Sequence, residues 1–496
     1  MNNFIENYSR FPFDTNTTTL ATHAGASLIT ETMDLVGLSA GLQPLNRHTP
    51  DTAIHRGAKI LTDLAAVIAL GGDCPQDIDQ LRTRTGQHPL FGAVASAPTE
   101  ARFIDQLTSL APAAAVTDFN TAVKTARARA WVLAGERSPM HKVSERNPLT
   151  IDLDATIITS HSEDKDGATG TWKGTYGHHP LFAFLDYGAK ATGEPLAFLQ
   201  RTGSAGSNTA SDHIKLTRMA VSALPADHPR GKKILVRADT AGCTYEYLSW
   251  LSAPGRGYQF SVTYAENAHT KTAVENLPKK AWNVARDDHG RKQTKRHTAE
   301  ITLLMGEALV KYPKGSRLFV RREPLHPGSR QARKQLRHQD TLFTPELAGS
   351  YRYTFFLTNQ KHPDTAVLDQ RHRARARCED RIRNAKDTGL RNLPYQQWAK
   401  NEWWTRVAFL AGQVTAWMQL LCLQGHQAAR WEPKKLRARL FAIAAKAVRH
   451  ARQVRISFDA TAHESGLLQR ALVKLRALRG QARQPGNSKA GTPLRT

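Results

Sequence analysis

The stretch from Asp369 to Gly389, DQRHRARARCEDRIRNAKDTG, constrains the fold more than any other in the chain. Read as an α-helix, it has a cap candidate at each end, Asp369 before the first turn and Gly389 after the last. A narrow stripe of Ala374, Cys378, Ile382 and Ala385 recurs at helical spacing and can lie on a sheet. The rest of the perimeter is charged: seven basic and three acidic side chains fall between Arg371 and Asp387, His372 not counted. A helix charged almost all round needs water or a charged partner. At ~100° per residue, His372, Arg375, Glu379 and Lys386 share a ~60° arc, which sets one carboxylate among cations. That face suits a polymer whose phosphates the arginines meet, with a metal held by the glutamate. The plain alternative is a solvated, salt-bridged helix.

The whole chain favours the charged partner. It carries a formal net charge of +26 and a pI near 10.1, a balance that points to nucleic acid rather than to a small metabolite. Hydrophobic content of 40% in 496 residues is enough for two to four packed domains and excludes general disorder. The four cysteines, Cys74, Cys243, Cys378 and Cys422, form no CxxC pair and no Cys/His cluster. This argues against a zinc module or a disulfide framework and suits a reducing cytoplasm. The start, MNNFIENYSRFPF, lacks the apolar core of a signal peptide. The most apolar run, Val407 to Leu423, is interrupted by Gln413 and Gln419 and reads as a buried helix rather than a membrane span.

Residues 1–148 read as helical, with ASLITETMDLVGL, DTAIHRGAKILTDLAAVIALGG and PTEARFIDQLTSL each apolar at helical spacing. The last of these is a candidate recognition helix, with Pro98 in its first turn and Thr99 and Arg102 facing outward; a plain helical domain is the alternative. At Thr150 the texture changes. TIDLDATIIT alternates strictly, with Ile151, Leu153, Ala155 and Ile157 on one face and Asp152, Asp154 and Thr156 on the other. Strands PLFAFLDY and EPLAFLQRTGS follow, then a helix from about 208 to 223, then KKILVRADTAG, a buried strand ending at Asp239. Functional groups of open sheets sit just past strand ends, where Asp239 falls. Residues 265–350 read as a β-rich block of short strands and basic turns. YRYTFFLTNQ returns as a strand before the Glu379 helix. KKLRARLFAIAAKAVRHARQV reads as a basic amphipathic helix that meets DNA backbone, a dimer partner or water, and 481–496 as a disordered tail.

Three carboxylates on separate elements, Asp154, Asp239 and Glu379, suit a hard divalent cation with oxygen ligands, Mg²⁺ or Mn²⁺. Two such ions can activate a water or 3′-hydroxyl and stabilise the leaving oxygen of a phosphoryl transfer. Asp152 competes with Asp154, because both lie on the acidic face; by itself Asp152 reads as a surface acid. His178 and His179 lack a third ligand nearby and read as structural residues or DNA contacts. TGSAGSNTASDH lacks the phosphate-loop pattern and reads as a strand-to-helix turn capped by Ser207 or Asn208. Trp282, flanked by lysines, reads as a packed tryptophan, with stacking on an extruded base as the alternative.

The helix resembles the Tyr-x2-Arg-x3-Glu-x6-Lys signature of DDE transposases from bacterial insertion sequences, here His372-x2-Arg375-x3-Glu379-x6-Lys386. An Asp-x-Thr strand (Asp154, Thr156), a Lys-Gly…His-Pro-Leu segment (Lys173 to Leu181) and a strand ending Arg-x-Asp (Arg237, Asp239) are similar to the same family. So is the long β-rich block between the second Asp and the Glu. The likeness spans roughly residues 150–425. It implies an α/β chain with an RNase H-like catalytic core, in two parts (149–264 and 351–425), interrupted by the β-rich insertion at 265–350. A helical N-terminal DNA-binding region (1–148) and a basic helical C-terminal region (426–480) would flank it.

The resemblance implies that Asp154, Asp239 and Glu379 are catalytic metal ligands for Mg²⁺ or Mn²⁺, and that His372, Arg375 and Lys386 contact DNA, His372 standing where the family has tyrosine. It implies cleavage at the inverted-repeat ends of the protein's own element and strand transfer into target DNA, by a homodimer in a synaptic complex at the cytoplasmic nucleoid. An inactive transposase-derived DNA-binding protein is the alternative, and a nuclease without strand transfer a third reading. Affinity for DNA is expected to fall steeply with salt.

Overall fold

The computed structural model describes residues 20–82, 88–206, 209–325, 351–450 and 453–483. Ser207 and Asn208, the expected caps, and the tail beyond Arg483 lie outside them. Thr209 holds the N-cap position of the helix that follows, without a side-chain hydrogen bond to its first turn.

The N-terminal part is helical, with α1 (Ser27–Leu35), α2 (Gly57–Ala69), α3 (Ala97–Ser109) and α4 (Pro112–Ala134) as its longer helices. The middle of the chain builds a nine-stranded sheet. Its strands are β1 (Leu149–Ala155), β2 (Leu181–Asp186), β3 (Glu194–Leu199), β4 (Ile234–Ala238), β5 (Gln259–Tyr264), β6 (Asn283–Arg286), β7 (Lys292–Glu300), β8 (Arg317–Pro324) and β9 (Tyr351–Thr358). The spatial order is β6-β7-β8-β9-β5-β4-β1-β2-β3. Within it, β3-β2-β1 are antiparallel neighbours and β4 and β5 continue parallel to β1. Three antiparallel strands running into two parallel ones is the arrangement of an RNase H-like core. Helix α5 (Ala210–Ser222) connects β3 to β4 across it. The block between Asp239 and Glu379 does not stand apart: β8 pairs with β9, and β7 and β6 follow, so its strands widen the same sheet.

The alternation in β1 is realised with both faces covered. Ile151 and Leu153 are buried in the apolar core, and Asp152 on the opposite face is equally buried. Asp152 is therefore not a surface acid. Its partners arrive from elements 85 and 229 residues away in sequence, which strand patterning alone does not reveal.

The 369–389 stretch is not one helix. Helix α6 (Thr365–Arg373) is capped by Asp364, whose side chain accepts from Ala366 N–H at 2.8 Å. It ends in a tightened turn, Arg375 N–H donating to the His372 carbonyl at 2.9 Å, before α7 (Ala376–Ala385) begins. Asp369 caps nothing; it is buried in α6 and paired with Arg321 at 2.5 Å. Gly389 does terminate the run, at φ +78°, where a Cβ would come within 2.9 Å of Ile68 Cγ2.

Helix α8 (Trp398–Cys422) runs through the interior. Its two interrupting amides serve the packing: Gln413 donates to the Pro195 carbonyl at 2.9 Å, and Gln419 to the Ala428 and Trp431 carbonyls at 3.0 Å each. Among the described residues no helix is long and apolar enough to cross a membrane. The basic segment after it bears out the expected helix only over Pro433–Leu436 and Arg437–Phe441 and corrects it beyond. Ala445–His450 and Gln453–Phe458 form an antiparallel hairpin, β10 and β11, before α9 (Ser465–Arg483).

Candidate active site

Strand β1 pairs with β4 in parallel register, Asp152 opposite Arg237. Two residues further along both strands stand Asp154 and Asp239, at the adjoining carboxyl ends of the two central strands. Each spends one carboxylate oxygen on the backbone. Asp154 Oδ1 accepts from Ala155 N–H at 2.9 Å, and Asp239 Oδ1 from Ala241 N–H at 3.0 Å, which makes Asp239 the cap of the short turn Thr240–Gly242. Its capping role and its place at the site coexist, because the other oxygen stays available.

Glu379 comes from the first turns of α7, on an exposed side of that helix. What sets α7 in place is the opposite side. Arg381 donates to Asp152 Oδ2 at 2.8 Å, to Asp186 Oδ1 at 2.7 Å and to the Thr192 carbonyl at 2.9 Å. Arg237 bridges the same two carboxylates, 2.6 and 2.8 Å to Asp152 and 2.7 Å to Asp186, and also donates to the Arg371 carbonyl. Arg377 adds a 2.6 Å contact to Asp186. Burial alone would raise the Asp186 pKa, but the charges of Arg381, Arg237 and Arg377 hold it well below the usual carboxylate range. Two buried carboxylates and three guanidiniums thus clamp the helix to β1, β2 and β4. Asp186, closing the apolar strand PLFAFLDY, was the one signal in the sequence for this clamp.

Asp154 senses the charges of the other two acids of the signature. Asp154 is pushed up to about 6, chiefly by burial and further by the charges of Asp239 and Glu379, against the pull of Arg375 and the Ala155 N–H. They do not crowd as tightly as a loaded metal site. Among the described residues the one acid, histidine or cysteine trio whose ligand atoms all lie within 4.8 Å is Asp73, Cys74 and Asp77, remote in sequence from the sheet. At Asp154 a cation is already supplied by protein: Arg375 Nη2 lies 3.0 Å from Oδ2. The donor set, carboxylate oxygens alone, fits a hard divalent ion. The nearby Cys378 thiol is no competing ligand, since burial drives its pKa well above normal.

The remaining signature residues take individual places. His372, expected at DNA, closes a ring stack on the sheet, 4.6 Å and 8° from Phe356, which lies 5.1 Å from Phe319. Its nitrogens meet Ser261 Oγ at 2.9 Å and Thr263 Oγ1 at 3.5 Å. Burial, with Arg375, Arg237 and Arg373, drives its pKa down to about 3, so the ring is neutral at physiological pH. Lys386 donates to the Ile157 carbonyl at 2.9 Å, just past β1, and its pKa is lowered by burial and by Lys173 and Arg391. Lys173 thus belongs to the same basic rim. His179 and His213, both of lowered pKa through burial, lie within reach of the Asp239 charge. His178 is tied to the Asp166 carbonyl and Trp282 packs beneath Arg322, so both are structural here.

A sheet of this order, with acids at the ends of its two central parallel strands and a third on the helix laid across them, belongs to the RNase H-like fold class. The family model described as transposase DDE domain, group 1, matches residues 6–480, and the chain belongs to that family. Among solved structures it is similar to a piggyBac transposase in a synaptic complex with hairpin DNA, determined by cryo-EM. The identity is 9% and the TM-score 0.39, over 96% of this chain and 88% of that one. A search of curated proteins finds no match.

Proposed function

We propose that this protein is a DNA transposase that cleaves the inverted-repeat ends of its own element and joins the freed 3′ ends to target DNA. The observation that carries this reading is that Asp154 and Asp239 stand at adjoining ends of the parallel strands β1 and β4, while Glu379 rides on the helix that the arginine clamp ties to the same strands, near enough for the charges of Asp239 and Glu379 to raise the Asp154 pKa. Repulsion between neighbouring carboxylates is what a divalent cation relieves. Asp154, Asp239 and Glu379 would hold Mg²⁺ or Mn²⁺. When bound, the metal supplies Lewis-acid polarisation of the phosphodiester and a more acidic water or 3′-hydroxyl.

The chain's own residues do the rest. Asp154 and Asp239 each have one oxygen fixed to backbone, which leaves the second oxygen of Asp239 for the metal and that of Asp154 to Arg375. The arginine clamp holds Glu379 across from them. Lys386, Lys173 and Arg375 line the rim with charge for the phosphates flanking the scissile bond. His372, neutral and stacked on Phe356, holds α6 to the sheet. Synapsis of two ends calls for two copies of the chain, a homodimer working at the nucleoid of the cytoplasm.

The test is cleavage of a plasmid carrying both element ends by the full chain in Mg²⁺. Asp154→Asn, Asp239→Asn and Glu379→Gln are each expected to lower end cleavage by at least ~10²-fold. Wild-type cleavage by all three variants would refute the assignment. Joining of the 3′ ends to a second DNA separates a transposase from a simple nuclease, and intact end binding with no nicking would identify an inactive descendant.

A further inference from the structure

Arg375 stands at the junction of α6 and α7, and its situation differs from that of the other buried arginines around the site. Arg237 and Arg381 each donate through Nε and both terminal nitrogens. Arg375 is held by one ion pair, Nη2 to Asp154 Oδ2 at 3.0 Å, with both side chains 14% exposed. Its Nε is buried without an acceptor. A guanidinium shut away from water with an orphan N–H is poorly satisfied, and one contact is easier to surrender than a bidentate clamp. The oxygen it occupies is the one that Asp154 would offer to a metal, since Oδ1 is fixed to Ala155.

We propose that Arg375 is an exchangeable counter-ion, which neutralises Asp154 while the acids lack a cation and transfers to a DNA phosphate when a divalent ion takes that oxygen. The inference rests on the reading of Asp154, Asp239 and Glu379 as metal ligands. A divalent ion on that oxygen draws off its charge and repels the guanidinium beside it, so the ion and Arg375 compete for Asp154. A phosphate at the rim offers the displaced guanidinium the bidentate partner it lacks on the protein. Metal and DNA then favour the same arrangement, and each must raise the affinity for the other by the same factor. The turn at Arg375 supplies the joint: α7 stays clamped through Arg377 and Arg381, while the Arg375 side chain alone changes partner.

The experiment is Mn²⁺ binding to the full chain, followed by electron paramagnetic resonance, with and without a short duplex carrying one element end. Without DNA, Arg375→Gln is expected to bind Mn²⁺ more tightly than wild type by ~5-fold or more. Adding the duplex should tighten Mn²⁺ binding to wild type and leave Arg375→Gln unchanged. Arg375→Lys, keeping charge but not the fork, should retain part of the coupling. Equal or weaker Mn²⁺ binding by Arg375→Gln, with an unaltered unfolding transition, overturns the exchange. If Asp154→Asn, Asp239→Asn and Glu379→Gln all bind Mn²⁺ as wild type does, the metal-site reading has failed and the exchange with it.

Discussion

Glu100, on α3, is fully buried, with Oε1 accepting from the Tyr395 hydroxyl at 2.9 Å and Oε2 unpaired. Burial lifts its pKa from 4.5 to about 7, helped by Asp105 and opposed by the Tyr395 hydrogen bond and Lys400. Because the folded pKa lies above the unfolded one, the stability linked to this proton is fully present below pH ~4.5 and is lost as pH rises through about 7. Glu100→Gln keeps the acceptor for Tyr395 and removes the charge. It is expected to be nearly neutral at pH 5 and stabilising at pH 8, by at most about 3 kcal/mol. Urea unfolding at the two pH values checks this, and an equal effect at both would reject it. Asp239 was legible from its strand-end position, whereas strand alternation left Asp154 level with Asp152 until the Asp-x-Thr likeness separated them. The buried Glu100 and the clamp partners of Asp152 were not, because their environments are assembled from distant segments.

At the scale of elements, the placement of Glu379 depends on α7 more than on Glu379 itself. Arg381 is two residues on, 4% exposed, and joins Asp152 and Asp186 with nearly ideal charge-assisted contacts. Arg381→Met would leave two buried carboxylates to two guanidiniums and is expected to destabilise the chain by about 3–5 kcal/mol. Arg381→Lys, a point charge that cannot span both carboxylates, should recover only part of this. Chemical denaturation of the full chain measures it, and a loss under ~1 kcal/mol would show that the clamp is replaceable. The signature spacing made α7 visible in the sequence but not its separation from α6. Both halves keep helical spacing through the tight turn at Ala374 and Arg375, so no break in periodicity marks it. The hairpin β10–β11 was hidden for a related reason. Its alanine-rich, alternately basic sequence satisfies a helical template, and the pairing of Leu20–Ala21 with β10, which favours the extended form, joins segments more than 400 residues apart.

The whole molecule is organised around α8, and this decides how far the regions marked out in the sequence are separate bodies. One apolar cluster runs from Ala26 to Leu475, drawing side chains from both termini and from the sheet. Helix α8 packs against β3 on one side and α1, α2, α4 and α9 on others, with Leu410, Val414, Trp417 and Leu421 fully buried. A fragment limited to residues 149–425 would keep the three acids and the arginine clamp. It would also strip α8 of its N- and C-terminal cover and expose an apolar face well beyond the few hundred Å² that soluble proteins tolerate. That fragment is expected to aggregate, whereas a chain ending at Arg483 should remain a single species that unfolds cooperatively. Size-exclusion chromatography with light scattering distinguishes the two. A monodisperse, cooperatively folding 149–425 fragment would mean that the catalytic core is self-sufficient. Aggregation would mean that the flanking helices, whatever DNA they meet, first serve to close the core that holds Glu379 opposite the aspartates.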